Sequence, residues 1–211
     1  MRRPRILIAD DHRLLVEAFE KLLENRCEIV GCVADGRALL DAAREVEPDI
    51  ILLDISMPLL NGLEAGRRIR KMLPDVKLIY LTVNEDPEVA AEAFRLGASG
   101  YLLKNSSASE LFQAVEAVAR GRSYVTPLVA RGMIKALKKA TPRKPEERLT
   151  PRQREVLQLL AEGHSMKQVG SILGVTARTV AHHKYTMMQT LDIGTSAELV
   201  QFAVKHGVVS A

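Results

Sequence analysis

The chain has 211 residues, of which 47% are hydrophobic and 27% charged, as is usual for a globular protein. No apolar run approaches the ~20 residues of a membrane-spanning helix, and the apolar stretch after the basic start at 1–5 is too short for a signal peptide. The cysteines, Cys27 and Cys32, form no CxxC pair. We therefore expect a cytoplasmic protein with no membrane partner.

The net charge of +4 is unevenly distributed along the chain. Residues 1–122 carry 17 basic and 20 acidic side chains, whereas residues 123–211 carry 13 basic and 6 acidic ones. A slightly acidic first part and a basic second part suggest two modules, the second of which faces a polyanion. Charge alone fits a small basic domain with no such partner equally well.

The first part of the chain alternates strand and helix patterns five times. Short apolar runs predict strands at 6–8, 28–34, 50–54, 76–81 and 101–103, and the apolar spacing between and after them predicts helices at 12–26, 37–46, 63–72, 87–96 and 107–119. Such alternation is typical of an α/β domain with a parallel sheet and helices on both of its faces.

Polar side chains stand where four of these strands end. They are Asp10 and Asp11, Asp54, Thr82 and Lys104. Because the carboxyl ends of parallel strands meet at one edge of a sheet, we expect these side chains to lie together. Three close carboxylates call for a cation, and Mg²⁺ prefers oxygen ligands. Asp54 could then act as a nucleophile toward a phosphoryl group, with Lys104 and Thr82 contacting the phosphate oxygens.

These residues, with Asn61-Gly62 and the run from Gly97 to Lys104, resemble a response-regulator receiver domain. The resemblance implies a five-stranded parallel (βα)5 flavodoxin-like fold with strand order 2-1-3-4-5. It implies that Asp54 accepts phosphate from a sensor histidine kinase. Mg²⁺ would be held directly by Asp11 and Asp54, by Asp10 mainly through water, and by the backbone carbonyl of Ser56. It also implies that Thr82 and Tyr101 respond to phosphorylation, the hydroxyl moving to the phosphoryl group and the ring turning inward.

The segment after this domain is predicted to join two modules. Apolar spacing over 123–137 predicts a helix after Pro127, and residues 138–148 are rich in charge and proline, as in an exposed linker. We therefore expect a receiver domain at 1–122, a linker with a helix at 123–148, and a second domain at 149–211.

Four short helices are predicted in the last part, at 151–162, 165–173, 177–191 and 196–205. Thr150, Pro151 and Gln153 form a strong helix start, and Gly174 marks a tight turn between the second and third helices. Two helices joined by a glycine-containing turn, the later one with exposed polar side chains, are typical of a helix-turn-helix.

Residues 149–163, 173–180 and His183 resemble the DNA-binding domain of LuxR-type regulators. The resemblance implies a small all-α helix-turn-helix domain whose third helix enters the major groove of double-stranded DNA. At its start, Thr176, Arg178 and Thr179 would hold phosphates, and the residues at or near the base edges would be Ala181, His182, Lys184 and Tyr185.

The third and second helices depart from the family pattern. Ala181 stands where a lysine is frequent, and Tyr185 places an aromatic ring at another reading position, which leaves the operator sequence open. Gly170, where alanine is usual, should weaken the second helix by up to ~1 kcal/mol. His182 and His183 are adjacent, so their side chains point about 100° apart on a helix, which disfavours a shared metal.

Three functions remain in competition at this point. The leading hypothesis is a transcription factor, not a conventional enzyme, whose phosphorylation changes dimerisation or exposure of its DNA-binding domain. An aspartate-nucleophile phosphatase would need a second acid two residues after Asp54, where this chain has Ser56. A scaffold with a degenerate receiver is disfavoured by the intact set of acidic, hydroxyl and amine side chains.

Overall fold

The computed structural model describes residues 2–138 and 148–209, and the predicted linker at 138–148 lies largely outside these ranges. The chain divides into two compact units. The first contains most of residues 2–138, and the second contains the helices of residues 148–209. None of the helices in these described ranges is both long and apolar enough to cross a bilayer.

The first unit is a parallel sheet with helices between its strands. Its strands are β1 (Arg5–Ala9), β2 (Glu28–Val33), β3 (Ile50–Asp54), β4 (Lys77–Thr82), β5 (Gly100–Leu103) and β6 (Tyr124–Val125). Its helices are α1 (Arg13–Leu23), α2 (Gly36–Val46), α3 (Gly62–Met72), α4 (Pro87–Arg95), α5 (Ala108–Ala119) and α6 (Pro127–Lys138). The strand order is β2-β1-β3-β4-β5-β6, and every neighbouring pair is parallel.

This sheet confirms the predicted α/β fold with its order 2-1-3-4-5, but the expected strand number was wrong. The sixth strand, β6, has two residues and pairs with β5 through Tyr101 and Val125. A strand of two residues is too short to show an apolar pattern, so the sequence could not predict it.

The central strands are buried because helices cover both faces of the sheet. Residues of alternating position on β1, β3 and β4, among them Ile8, Leu52 and Leu81, pack with residues of α1 and α5 in one apolar cluster. The intervening residues, such as Ile51 and Tyr80, are also fully buried. Burial on both faces explains why these strands read as continuous apolar runs and not as alternating ones. The buried strands also hold the polar residues at the carboxyl ends of β1, β3, β4 and β5 in fixed positions.

The second unit consists of α7 (Pro151–Ala161), α8 (Met166–Leu173), α9 (Ala177–Leu191) and α10 (Ser196–Lys205), which confirms the predicted helical domain. Thr150 and Gln153 form the expected capping box at the start of α7. Gly174 ends α8 with φ +66°, a left-handed conformation that favours glycine, and the chain then turns into α9. Apolar residues of all four helices, including Val156, Val169, Val180 and Leu199, form a single core.

Candidate functional site

The first candidate site lies at the carboxyl edge of the sheet. Lys104 Nζ is 2.8 Å from Asp10 Oδ2 and 3.0 Å from Asp54 Oδ2, and both carboxylates are almost fully buried. Residues that are 44 and 50 positions apart in sequence thus meet around one ammonium group. The sequence analysis predicted that the side chains at the strand ends lie close together, and the structure brings Asp10, Asp54 and Lys104 into contact.

Asp11 and His12 complete the acidic cluster. His12 Nδ1 is 3.1 Å from Asp10 Oδ1 and 3.0 Å from Asp11 Oδ1. One ligand atom from each of Asp10, Asp11, His12 and Asp54 can be chosen so that all four lie within 4.8 Å of one another. His12 was missed by the sequence argument, which treated it only as the start of a helix. Its position directly after two aspartates was the available signal.

The environment of Asp54 disfavours its charged form. Burial raises the pKa of the Asp54 carboxyl above 3.8, and the charge of Asp10 acts in the same direction. Lys104 and the Ser56 amide, which donates to Asp54 Oδ1 over 3.2 Å, act in the opposite direction but do not cancel the effect of burial. An additional cation near Asp54 would therefore stabilise the charged form of its carboxylate.

Thr82 and Tyr101 lie beside this cluster on the next two strands. Thr82 is buried at the end of β4, where its Oγ1 accepts the Asn84 amide over 2.9 Å. Tyr101 is fully buried, so its ring already lies inward, and its hydroxyl donates to the Asn84 carbonyl over 3.0 Å. Burial raises the pKa of the Tyr101 hydroxyl, while the nearby Thr82 hydroxyl acts in the opposite direction. Both side chains thus hold the loop that follows β4.

The second candidate site is the exposed face of α9. Arg178, His182 and Tyr185 are exposed, and Ala181 is half-buried between them. Positions 178, 181, 182 and 185 fall on one side of a helix, and position 189 extends this side by another turn. Gln189 is exposed at that position and was not among the predicted residues. The buried residues Val180 and Met187 hold the helix against the core of the unit.

The remaining predicted residues of α9 have partners within the unit. Thr176 caps the helix, and its Oγ1 accepts the Thr179 amide over 3.1 Å. Lys184 Nζ donates to Ser196 Oγ over 2.6 Å and lies 5.7 Å from the centre of the Tyr185 ring. Lys184 therefore lies at the side of the exposed face and not at its centre. Burial lowers the pKa of His183, and the neighbouring His182 and Arg152 act in the same direction.

Comparison with known proteins identifies both units. The pattern of the response regulator receiver domain matches residues 6–116, and that of the bacterial regulatory proteins of the luxR family matches residues 147–203. The chain belongs to the LuxR-type response regulators. As a response regulator of this type, it combines a receiver domain with a LuxR-type helix-turn-helix domain that binds DNA in transcriptional regulation.

Two relatives align with this chain over nearly their whole length. The response regulator is 34% identical to the transcriptional regulatory protein DegU of Brevibacillus brevis, over 97% of this chain and 94% of DegU. It is 33% identical to the oxygen regulatory protein NreC of Staphylococcus carnosus, over 95% of this chain and 97% of NreC.

Solved structures support the fold of both domains. A LuxR-family response regulator from Aurantimonas sp. SI85-9A1 is 33% identical, with a TM-score of 0.61, over 64% of this chain and 97% of that one. RcsB from Salmonella enterica serovar Typhimurium, solved on promoter P1flhDC with the phosphomimetic BeF3⁻, is 25% identical. Its TM-score is 0.63, over 97% of this response regulator and all of the RcsB chain.

Proposed function

We propose that this response regulator is switched by phosphorylation of Asp54. The observation that carries the proposal is the position of Lys104 Nζ between Asp54 and Asp10, at 3.0 and 2.8 Å. An ammonium group at this distance can pair with a phosphoryl oxygen while one oxygen of Asp54 bonds to phosphorus. We take residues 1–122 as the phosphorylated domain, 123–148 as the linker and 149–211 as the DNA-binding domain.

The reaction is a transfer between two proteins. An oxygen of the Asp54 carboxylate attacks the phosphorus of a phosphohistidine on a sensor histidine kinase. The new O–P bond forms as the P–N bond breaks, and its electron pair leaves with the imidazole, which then takes up a proton. The products are an aspartyl phosphate on the response regulator and a neutral histidine on the kinase.

The acidic cluster fits Mg²⁺ as the metal of this site. The cluster has three carboxylates, and the one ammonium group contacts two of them, so the carboxylates exceed the ammonium group by two negative charges when all the acids are ionised. Asp11 and Asp54 would bind the ion directly, Asp10 would bind it mainly through water, and Ser56 would contribute its backbone carbonyl. When bound, the ion shields the negative charge of the phosphoryl oxygens.

The response to phosphate begins at Thr82 and Tyr101. The Thr82 hydroxyl moves to the phosphoryl group, and because its Oγ1 now accepts the Asn84 amide, that movement changes the loop after β4. The Tyr101 hydroxyl donates to the Asn84 carbonyl of the same loop, so the inward ring is stabilised when the loop is in place. The phosphorylated receiver then forms a homodimer or exposes its DNA-binding domain.

DNA binding is assigned to the exposed side of α9 and its start. Thr176, Arg178 and Thr179 contact phosphates, and Ala181, His182, Lys184 and Tyr185 lie on or beside the surface that meets base edges. RcsB, which shares the architecture, has been solved on DNA both as a complex and as two dimers on parallel DNAs. The exposed face of α9 would enter the major groove of double-stranded DNA.

The test is the mass of the intact protein after incubation with acetyl phosphate and Mg²⁺. We expect the wild type to gain one phosphoryl group and Asp54→Asn to gain none. The matched control is Asp41→Asn, which removes an exposed carboxylate of the same domain and should be modified like the wild type.

The same experiment separates the competing functions. A wild type that gains no mass would favour a scaffold with an inactive receiver. Sustained turnover of a phosphomonoester would favour a phosphatase, although Ser56 stands where that class of enzyme has its general acid.

A further inference from the structure

We infer that Thr126 is a positioning residue that ties the switch strand β5 to α6, so that α6 responds to the phosphorylation state of the receiver. The inference rests on the proposed phosphorylation of Asp54. Thr126 lies between β6 and α6, is 5% exposed, and belongs to none of the residues assigned to phosphate, metal or DNA.

Thr126 binds β5 through both its backbone and its side chain. Its amide donates to the Tyr101 carbonyl over 3.0 Å, and its Oγ1 accepts the Leu103 amide over 3.1 Å. The chain turns into α6 at Pro127, so the backbone of β6 ends before it could offer an acceptor to Leu103. The hydroxyl of Thr126 therefore takes the place of the next carbonyl in the ladder.

The opposite side of β5 carries the switch residues. The amide of Lys104, the residue after Leu103, donates to the Thr82 carbonyl over 2.7 Å, and Lys104 Nζ contacts Asp54. Two consecutive amides at the end of β5, those of Leu103 and Lys104, are thus held by Thr126 on one side and by Thr82 on the other. A movement of Thr82 or Lys104 toward a phosphoryl group that shifts its backbone would change the strand end to which Thr126 is bonded.

α6 also rests on α4, the helix that follows the loop of Thr82 and Asn84. A methyl group at Gly132 of α6 would lie 2.5 Å from Cγ of Pro87, the first residue of α4, so the two helices approach at a glycine. Arg95, the last residue of α4, donates from Nη2 to the Ala136 carbonyl over 2.8 Å. Together with Thr126, these contacts attach α6 to both elements that border the phosphorylation site.

α6 is the last described element before residue 148, and the helices of the second unit follow that residue. Thr126 differs in this role from a residue that merely stabilises the sheet. A merely stabilising residue would change the stability of the receiver equally with and without phosphate. A coupling residue changes how α6 responds when Asp54 is modified.

The test is hydrogen–deuterium exchange of a peptide within residues 127–138 of the full chain, with and without acetyl phosphate and Mg²⁺. Intact mass reports phosphorylation of the same samples. In the wild type we expect phosphorylation to change the exchange rate of α6. In Thr126→Val, which keeps the branched shape but loses the acceptor, Asp54 should still be phosphorylated and the response of α6 should be lost. Thr126→Ser should restore the response.

A second variant keeps the test independent of the folding of Thr126→Val. Gly132→Ala leaves Thr126 intact but forces α6 away from Pro87, and it should also reduce the response of α6 at full phosphorylation. The inference is overturned if the phosphorylated wild type shows no change in α6, or if Thr126→Val responds like the wild type. Absence of phosphate on the wild type would instead contradict the proposed function itself.

Discussion

At the scale of single residues, Asp54 combines two demands that oppose each other. The proposed role as a nucleophile requires an ionised carboxylate, yet burial raises the pKa of the Asp54 carboxyl. Lys104 offsets part of this effect at 3.0 Å but shares its charge with Asp10 at 2.8 Å. Without a metal ion, the positive charge of Lys104 does not balance the two carboxylates that it contacts. This imbalance lowers the free energy of unfolding of the receiver.

This imbalance predicts that Asp54→Asn stabilises the protein at neutral pH without Mg²⁺. Between 3.8 and the raised pKa, the folded wild type binds more protons than the unfolded chain, so its stability falls as pH rises through that interval. A carboxyl whose pKa is higher by one in the folded state than in the unfolded chain lowers the free energy of unfolding by about 1.4 kcal/mol at a pH above both values. Asp54→Asn lacks this group, so its melting temperature should exceed that of the wild type at about pH 8, and the difference should shrink as pH falls toward 3.8.

The measurement is calorimetric unfolding across this pH range in the presence of a chelator. Asp41→Asn serves as the control because it removes an exposed carboxylate, and its melting curve should follow that of the wild type at every pH. Added Mg²⁺ should raise the melting temperature of the wild type more than that of Asp54→Asn. A difference between wild type and Asp54→Asn that does not vary with pH would contradict the assigned cause.

At the scale of elements, α3 and β4 fit together at a glycine. A methyl group at Gly66 would lie 2.9 Å from Cζ of Tyr80 and closer still to its hydroxyl. That hydroxyl is buried and has no hydrogen-bond partner among the described residues. The ring of Tyr80 has little room to swing away, because Tyr80 is itself fully buried.

We therefore predict that Gly66→Ala destabilises the receiver by about 1–3 kcal/mol, because the added methyl overpacks the core. Tyr80→Phe removes the obstructing hydroxyl and leaves no polar group unpaired, so it should be neutral or stabilising by about 1 kcal/mol. The double variant should lose less stability than Gly66→Ala alone. Urea unfolding of the four proteins gives the coupling energy, and additive effects would contradict the packing argument.

The exposed face of α9 gives a prediction about DNA. Arg178 is exposed at the start of the helix, where it is assigned to a phosphate. Arg178→Ala should therefore weaken binding to all DNA sequences alike and reduce the salt dependence, log K against log [salt], by about 0.9.

Lys205→Ala is the matched control for Arg178→Ala, since it removes one exposed positive charge from the end of α10 in the same unit. Fluorescence anisotropy at several salt concentrations measures both variants. An equal loss of affinity in both would mean that only the net charge of the domain matters. Tyr185→Ala should instead change the preference among sequences, because its exposed ring is assigned to base edges.

Much of the fold was readable because burial on both faces leaves a continuous apolar run. The run at Ile50–Asp54 ends in an acid, and that ending predicted the position of the buried carboxylate that Lys104 contacts. Thr126 gave no comparable signal, because its role depends on a two-residue strand and on the path of β5. A sequence pattern shows how hydrophobic residues repeat along one helix or strand. The hydrogen bond between Thr126 and β5 depends instead on which elements become neighbours in the fold.

Gly170 shows the same limit in the second unit. From sequence it is only a helix weakener, since glycine costs up to ~1 kcal/mol relative to alanine. In the structure, a methyl group at Gly170 would lie 2.7 Å from the carbonyl oxygen of Val175, in the turn that leads to α9. The glycine thus permits a close approach between helix and turn, and this approach could not be inferred from the helix alone.

At the scale of the whole molecule, the positive charge is concentrated before the DNA-binding helices. Residues 123–148 carry 7 basic and 2 acidic side chains, whereas residues 149–211 carry 6 basic and 4 acidic ones. The basic second part predicted from the sequence therefore owes most of its charge to the linker region. A single LuxR-type domain with so small an excess of basic over acidic side chains attracts the phosphates of DNA only weakly. A second copy of the domain would add a second set of contacts.

This charge distribution predicts that phosphorylation acts mainly through pairing of DNA-binding domains. Acetyl phosphate with Mg²⁺ should tighten binding of the wild type to DNA with two half-sites by about 5–150-fold, the usual range of coupling between sites. Binding to DNA with one half-site should change much less, because only one domain can be engaged. Gel-shift titrations on DNA recovered by selection with the phosphorylated protein measure both values, and Asp54→Asn should show the unphosphorylated affinity throughout. Equal tightening on one and two half-sites would mean that phosphate releases a single domain and does not pair two.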